Sequence, residues 1–200
     1  MINFEDKQKE YFSKNFSDLN LPGKKINSIV FEECYFKNCD FSEVVFFDCE
    51  FIECHFQKCN LSVAKMDHCR FTDVVFKDCK VIGIDWTQAT WPRIALFSPI
   101  KFIKFIIDDS TFFGLSLNEI VIEDCKAHEV DFREGSFCES NFTFTDFTNS
   151  LFKETNLTGT DFTGAVNYRI DINYNKISRA KFSRHEAASL LENLDIELID

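Results

Sequence analysis

A large apolar residue stands at every fifth position of "CYFKNCDFSEVVFFDCEFIECHFQKCNL", residues 34 to 61. Phe36, Phe41, Phe46, Phe51, Phe56 and Leu61 keep the beat, and Cys34, Cys39, Val44, Cys49, Cys54 and Cys59 stand two residues ahead of them. An α-helix repeats every 3.6 residues and a strand every 2, so neither generates this pattern. Followed outward, the beat runs from Phe16 to Trp91, slips by one residue beside Pro92, and resumes from Phe97 to Phe182. Of the 25 Phe, 19 fall on these 34 centres, where one position in five would collect about five.

A fixed short period over most of a chain marks a solenoid, whose repeats bury their apolar faces only by stacking. Five residues make one nearly straight side with a turn at each corner. The large residue fills the axis, and the residue two before it must be small because it shares that space. Successive coils then hydrogen-bond at the ~4.8 Å spacing of paired strands. The period alone leaves the number of sides open.

Eight of the nine cysteines (34, 39, 49, 54, 59, 69, 79 and 125) fall in the small slot. There they are expected to act as compact hydrophobes. An apolar column raises thiol pKa values and disfavours the thiolates a metal site needs. Cys138 falls one place after a centre and is expected to face outward as the reactive thiol. His55, His68, His128 and His185 all miss the inward slots and are expected at the solvent. The chain has no glycine-rich phosphate loop, HExxH pair or Gly-x-Ser-x-Gly elbow. Acids on flat external walls have no cleft to separate their pKa values. The reading is a protein without catalytic residues, cofactor or metal.

Thirty-three acids against 22 bases give a net charge of −11. That argues against direct nucleic-acid binding and favours a basic partner. The opening "MINFEDKQKEYFSKNF" lacks the apolar core of a signal peptide. No apolar run approaches the roughly 20 residues of a membrane span. An odd cysteine count at monotonous spacing is unlike a secreted disulfide framework. A reduced, cytoplasmic protein is expected.

"TNLTGTDFTGAVN" (155–167) resembles the pentapeptide-repeat consensus, in which Ala precedes Asp or Asn, then Leu or Phe, then two variable residues. The resemblance covers about residues 16–182 and implies an all-β fold, a right-handed quadrilateral β-helix with four pentapeptides per coil. Both Trp residues on centres, Pro92, Pro99 and Phe105 in a small slot depart from the family pattern, so a bulged coil or short loop is expected near 91–96. Treated as one inserted residue, the slip leaves little room for the long loops that some members use in drug protection.

With four sides, residues twenty apart share a face and Cys39, Cys59 and Cys79 stack. The face of centres 31, 51, 71, 91, 112, 132, 152 and 172 then nets −5, against +2, 0 and −2 for the others. Its acids are Glu32, Glu33, Glu50, Glu53, Asp73, Asp131, Glu134, Glu154 and Asp171. Such a stripe offers a basic groove something shaped like nucleic acid, whose duplex is gripped through its phosphates. The neutral face places Ile82 and Ile103 at equivalent outward positions on successive coils, a possible apolar contact strip, with Val121 and Phe144 further along.

Residues 1–15, with Phe4, Tyr11 and Phe12, are expected to cap one end. At the other, "SRHEAASLLENL" opens with Ser183 and has Glu186 three later, a capping box for a short α-helix. Ala187, Leu190, Leu191 and Leu194 share its apolar face, and Ile196 and Leu198 alternate in the tail, so 183–200 either plugs the last coil or pairs with its twin. Here the chain is similar to the quinolone-resistance (Qnr-type) and microcin-immunity branch. That resemblance implies a homodimer through Leu190, Leu191, Leu194, Ile196 and Leu198, and an acidic rod that engages a type II topoisomerase, gyrase or topoisomerase IV. The alternative is a scaffold or adaptor with no topoisomerase role, contacting its partner through Ile82 and Ile103.

Overall fold

In the computed structural model, residues 8–92 and 98–192, together with Leu194 and Ile196, are described. The backbone explains the period of five. Two residues after most centres the chain enters the left-handed region, as at Ser28 (φ 51°), Asp48 (φ 51°) and His68 (φ 58°). One such residue turns the chain a corner, and four residues separate one corner from the next, as 29–32 between Ser28 and Glu33.

The chain winds as a right-handed, four-sided parallel β-helix of about eight turns. Wall one is built from Glu10–Phe12, Val30–Glu32, Glu50–Ile52 and Arg70–Thr72. Wall two holds Asn15–Ser17, Tyr35–Lys37, His55–Gln57, Val74–Lys77, Ile100–Ile103 and Val121–Glu123. Wall three is a ladder of single bridges, from Asn20 and Asp40 through Asn60, Lys80, Ile106, Lys126 and Asp146 to Val166. Wall four holds Lys25–Asn27, Val45–Phe47 and Lys65–Asp67, then the 3₁₀ turn Trp86–Gln88. Its bridges continue through Asp85, Thr111, Asp131 and Leu151. Tyr11 already pairs with Phe31 and is buried, so the stack starts before Phe16, while Phe12 is exposed. Phe4 and the first residues lie outside the described residues.

Core geometry follows from this winding. Most rings on one wall repeat by translation and lie parallel, as Phe36 to Phe56 at 4.5 Å and 9° and Phe56 to Phe76 at 4.6 Å and 13°, although Phe142 and Phe162 on the same wall cross at 88°. Rings on adjoining walls meet across a corner and lie edge-on, as Phe31 with Phe36 at 5.4 Å and 75°. Both arrangements are favourable for aromatic quadrupoles. The small slot proves to be more than a packing niche. Its side chain donates to the carbonyl of a centre one coil below: Cys34 Sγ to Tyr11 at 3.3 Å, Cys54 Sγ to Phe31 at 3.2 Å. Past Cys125 the same bond is made by Thr145 to Ile122 at 2.7 Å and Thr160 to Phe137 at 2.7 Å. Small size and a donor together explain a slot filled by Cys, Ser and Thr.

The register overturns the one-residue slip. Phe36 pairs with Phe56 and Phe56 with Phe76, each twenty residues on, but Phe76 pairs with Phe102, twenty-six on. The extra six residues are one pentapeptide plus one, which keeps the five-residue beat nearly in phase and so hides in the sequence. The extra chain falls between Trp91, still stacked on Phe71, and Ile100, which pairs with Val74. Trp91 still stacks on Phe71 at 5.6 Å, and Phe105 fits its small slot by packing on Phe102 at 5.1 Å.

The C-terminal helix is also corrected. It is a 3₁₀ helix, Glu186–Leu191, with His185 at its N-cap and no capping side chain. Ser183 is occupied elsewhere, its Oγ accepting from the Gly164 amide at 2.8 Å. Among the corners, Val63 is the anomaly: a β-branched residue at φ 59° and 56% exposed. The left-handed region costs a non-glycine residue about 1–2 kcal/mol, least for Asn. Val63→Asn should therefore raise unfolding stability by about 1 kcal/mol. An unchanged or lower urea midpoint would contradict this account of the corner.

Candidate protein-interaction surface

The twenty-six-residue coil redistributes the predicted acids. Glu32, Glu33, Glu50, Glu53 and Asp73 sit on wall one, but Asp131, Glu134, Glu154 and Asp171 belong to wall four, because Thr111 and Asp131 continue the ladder of Asp85. The nine do not share a face. Over the described repeats, wall one carries eight acids against Lys9, Arg70, Lys176 and Arg179, a net of −4; walls two, three and four net +3, −3 and −2.

What the true register brings together is a line. Glu33, Glu53, Asp73, Glu119 and Glu139 are all exposed and all occupy the corner between walls one and two, with φ between 48° and 61°. Glu119 and Glu139 reach this line because the long coil moves them onto wall one. Glu33 accepts from Ser13 Oγ at 2.6 Å, Asp73 pairs with Lys101 at 2.8 Å, and Glu139 with Arg179 at 3.3 Å. Exposed pairs of this kind are worth at most about 1 kcal/mol and release readily to a partner.

Two predicted acids are engaged internally instead. Asp131 accepts from the Arg133 backbone at 3.0 Å and takes its guanidinium at 2.9 and 2.7 Å. Partial burial pushes the Asp131 carboxyl up, yet the Arg133 hydrogen bonds outweigh it and hold the group below the usual range. Asp171 accepts from the backbone and side chain of Asn173 at 2.9 and 3.0 Å. An Asp or Asn one place before a centre fastens its own turn. That is structural work, unlike the corner acids.

The apolar strip also dissolves. Ile103 lies on wall two opposite Lys77, whereas Ile82 follows Val81 on wall three, and both are half-buried. In the C-terminal segment Leu190 is buried and joins the core, Leu191 and Leu194 are half-buried, Ile196 is 54% exposed, and Leu198 lies outside the described residues.

The inward cysteines are buried and Cys138 is the one described cysteine that is not. Burial pushes the Cys125 thiol up to about 12. Among the described residues no cluster of His, Cys, Asp and Glu is placed to hold a metal ion, and no helix is long and apolar enough to cross a membrane.

Of the histidines, His128 departs from the expectation of a free surface ring. It is half-buried, with Nε2 3.0 Å from Asp146. Partial burial raises the Asp146 carboxyl, but hydrogen bonds from Asn167, Thr148 and His128 reverse this and bring it down to about 2. A depressed folded pKa contributes stability above the unfolded value of about 4 and loses it as pH falls through the folded one. Asp146→Ala should therefore destabilise at pH 6 and converge with the parent near pH 2; a cost that persists unchanged at the lower pH would refute the linkage.

Comparison with known proteins agrees with this geometry. The family model "Pentapeptide repeat region" matches residues 29–98, and "Pentapeptide repeats (8 copies)" matches 128–164. No curated protein matches the chain. Among solved structures, a trypsin-treated variant of QnrB1, a plasmid-mediated fluoroquinolone resistance protein, aligns with a TM-score of 0.64 at 21% identity, over 92% of this chain and 100% of that one. A second trypsin-treated QnrB1 variant gives 0.63 at 19% identity, covering 98% and 95%, and full-length QnrB1 gives 0.51 at 21%, covering 91% and 100%. At such identities the likeness is one of fold. With the two models together matching more than half of its residues, and four walls turning a left-handed corner every five, the chain belongs to the pentapeptide-repeat family.

Proposed function

We propose that this protein binds a type II topoisomerase, gyrase or topoisomerase IV, as a mimic of duplex DNA, and shields the enzyme from poisons such as quinolones or peptide toxins. The reading rests chiefly on the line of Glu33, Glu53, Asp73, Glu119 and Glu139 down one edge of a narrow rod. A basic groove that grips phosphates meets there a row of carboxylates, three on successive coils and two more beyond the long coil. Glu32 and Glu50 flank the row on wall one, and Glu134 and Glu154 stand at that wall's opposite edge. The likeness of fold to QnrB1, itself a fluoroquinolone resistance protein, supports the same choice. The role is non-catalytic and cytoplasmic, and the protein, not DNA, occupies the groove.

A homodimer would lengthen the acidic row. Leu191, Leu194, Ile196 and Leu198 are its proposed seam, with Leu190 spent on closing the last coil. Light scattering should give twice the 23.4 kDa of the chain, falling to one chain in Leu191→Glu with Leu194→Glu. A monomeric parent would remove the dimer. For the function itself, purified gyrase is assayed for supercoiling with and without a fluoroquinolone. Inhibition of the enzyme, or relief of poisoning, is expected at micromolar protein; neither effect at that concentration would dismiss the reading.

A further inference from the structure

Wall two runs against the charge of the rest of the molecule. Across its rungs 14–18, 34–38, 54–58, 74–78 and 100–104 it carries Lys14, Lys37, Lys58, Lys77, Lys101 and Lys104 against only Asp18 and Asp78, a net of +4 in a chain of −11. Lys101 is taken by Asp73. Lys37, Lys58, Lys77 and Lys104 are exposed and make no ion pair among the described residues, and the same holds for Lys80 just around the edge on wall three.

The edge itself carries a shallow, open recess. Lys58, Lys80 and Lys104 line one depression of about 470 Å³, with Asp78 and Ile106 also in its wall. Stacking produces the arrangement. Lys58, Asp78 and Lys104 are successive corner residues, at φ 53°, 54° and 53°, so their side chains leave the rod in file at the coil spacing of ~4.8 Å. Three ammonium groups against one carboxylate leave the depression with uncompensated positive charge. Clefts lined by one sign of charge concentrate ligands of the opposite sign.

The surroundings limit what fits. The corner shared with wall one carries Glu33, Glu53 and Asp73, and wall three carries Asp40 and Asp108. A wide polyanion such as duplex DNA, laid on wall two, would overhang these acids and be repelled. A single extended acidic segment stays within one wall. Half-buried Val75 and Ile103 beside the lysines offer it apolar contact.

We infer that wall two docks an extended, carboxylate-rich segment of a partner protein along the rod, with its carboxylates seated among Lys58, Lys80 and Lys104. This surface is separate from the acidic edge and stands whether or not the chain engages a topoisomerase. The test measures fluorescence anisotropy of a labelled decaglutamate peptide on the full chain. Saturable binding that weakens with salt is expected. It should fall by about tenfold or more in Lys58→Glu/Lys80→Glu/Lys104→Glu, and stay within about twofold in the charge-matched Lys25→Glu/Lys65→Glu/Lys126→Glu. Should the first variant fold poorly, Lys58→Gln/Lys80→Gln/Lys104→Gln is judged by the same criterion. Absence of binding, equal loss in both triple variants, or tighter binding of a short DNA duplex than of the peptide would each overturn the proposal.

Discussion

Phe56→Ala should cost about 3–5 kcal/mol of unfolding free energy. Its ring is fully buried and stacked on both sides, 4.5 Å from Phe36 and 4.6 Å from Phe76, with the Phe51 ring edge-on at 5.7 Å. Removing it leaves a cavity that rigid ladders on four walls cannot collapse to fill, and an uncollapsed cavity is the costlier kind. Phe182→Ala should cost clearly less, because among the described residues Phe182 stacks on a single in-register neighbour, Phe162, at 5.1 Å, and is only half-buried. In a quasi-one-dimensional stack, stability is a sum over repeats and their interfaces, and an end rung has one interface fewer. Guanidinium unfolding monitored by circular dichroism compares the two. Equal losses would mean that the coils are not energetically nearest-neighbour.

Reversal of the acidic edge should be the largest functional effect. Glu33→Lys with Glu53→Lys and Glu119→Lys is expected to weaken topoisomerase binding by on the order of 100-fold at low salt. Each reversal exchanges an attraction for a repulsion, a change of roughly 1 kcal/mol in all for an exposed charge, and each 1.4 kcal/mol is tenfold. The loss should shrink as ionic strength rises, since these side chains are exposed. All three lie on corners that already tolerate Lys, as at Lys58 and Lys104, so the fold should be kept. Asp131→Lys, which breaks an internal pair with Arg133, should affect stability more than binding. If the triple variant still inhibits gyrase as the parent does, the edge is not the contact.

Much of the fold is legible in the residues. The centres found by counting are the rungs of the core, from Phe16 to Phe162, and the small slot is buried wherever cysteine fills it. Phe is concentrated there because one stacking slot is used again and again. Three things were not legible. The number of sides is set by the corner backbone, and no side-chain period reports it. The six extra residues imitate the beat, so Phe76 was matched to the wrong coil and every face after Pro92 was displaced. Residue type makes the acids equivalent, although Asp131 and Asp171 bind their own turns while Glu119 and Glu139 stand exposed at a corner. Sequence position gives an acid's wall only when the register is right, and its role only when its hydrogen bonds are seen. The capping box failed for a similar reason: Ser183 meets the Gly164 amide from the previous coil, a partner that local sequence cannot show.

The twenty-six-residue coil has a bearing on how such a chain can change over generations. Val74 and Ile100 meet in the ladder as though nothing intervened, so the backbone on either side is indifferent to the length of what separates them. Loop closure adds only about 0.6 kcal/mol for each doubling of length. Insertions and deletions at that corner are therefore nearly neutral for the architecture, whereas one residue gained or lost within a wall would misplace every ring beyond it. Heritable variation is channelled toward that corner, and new recognition can be tried there without risking the whole.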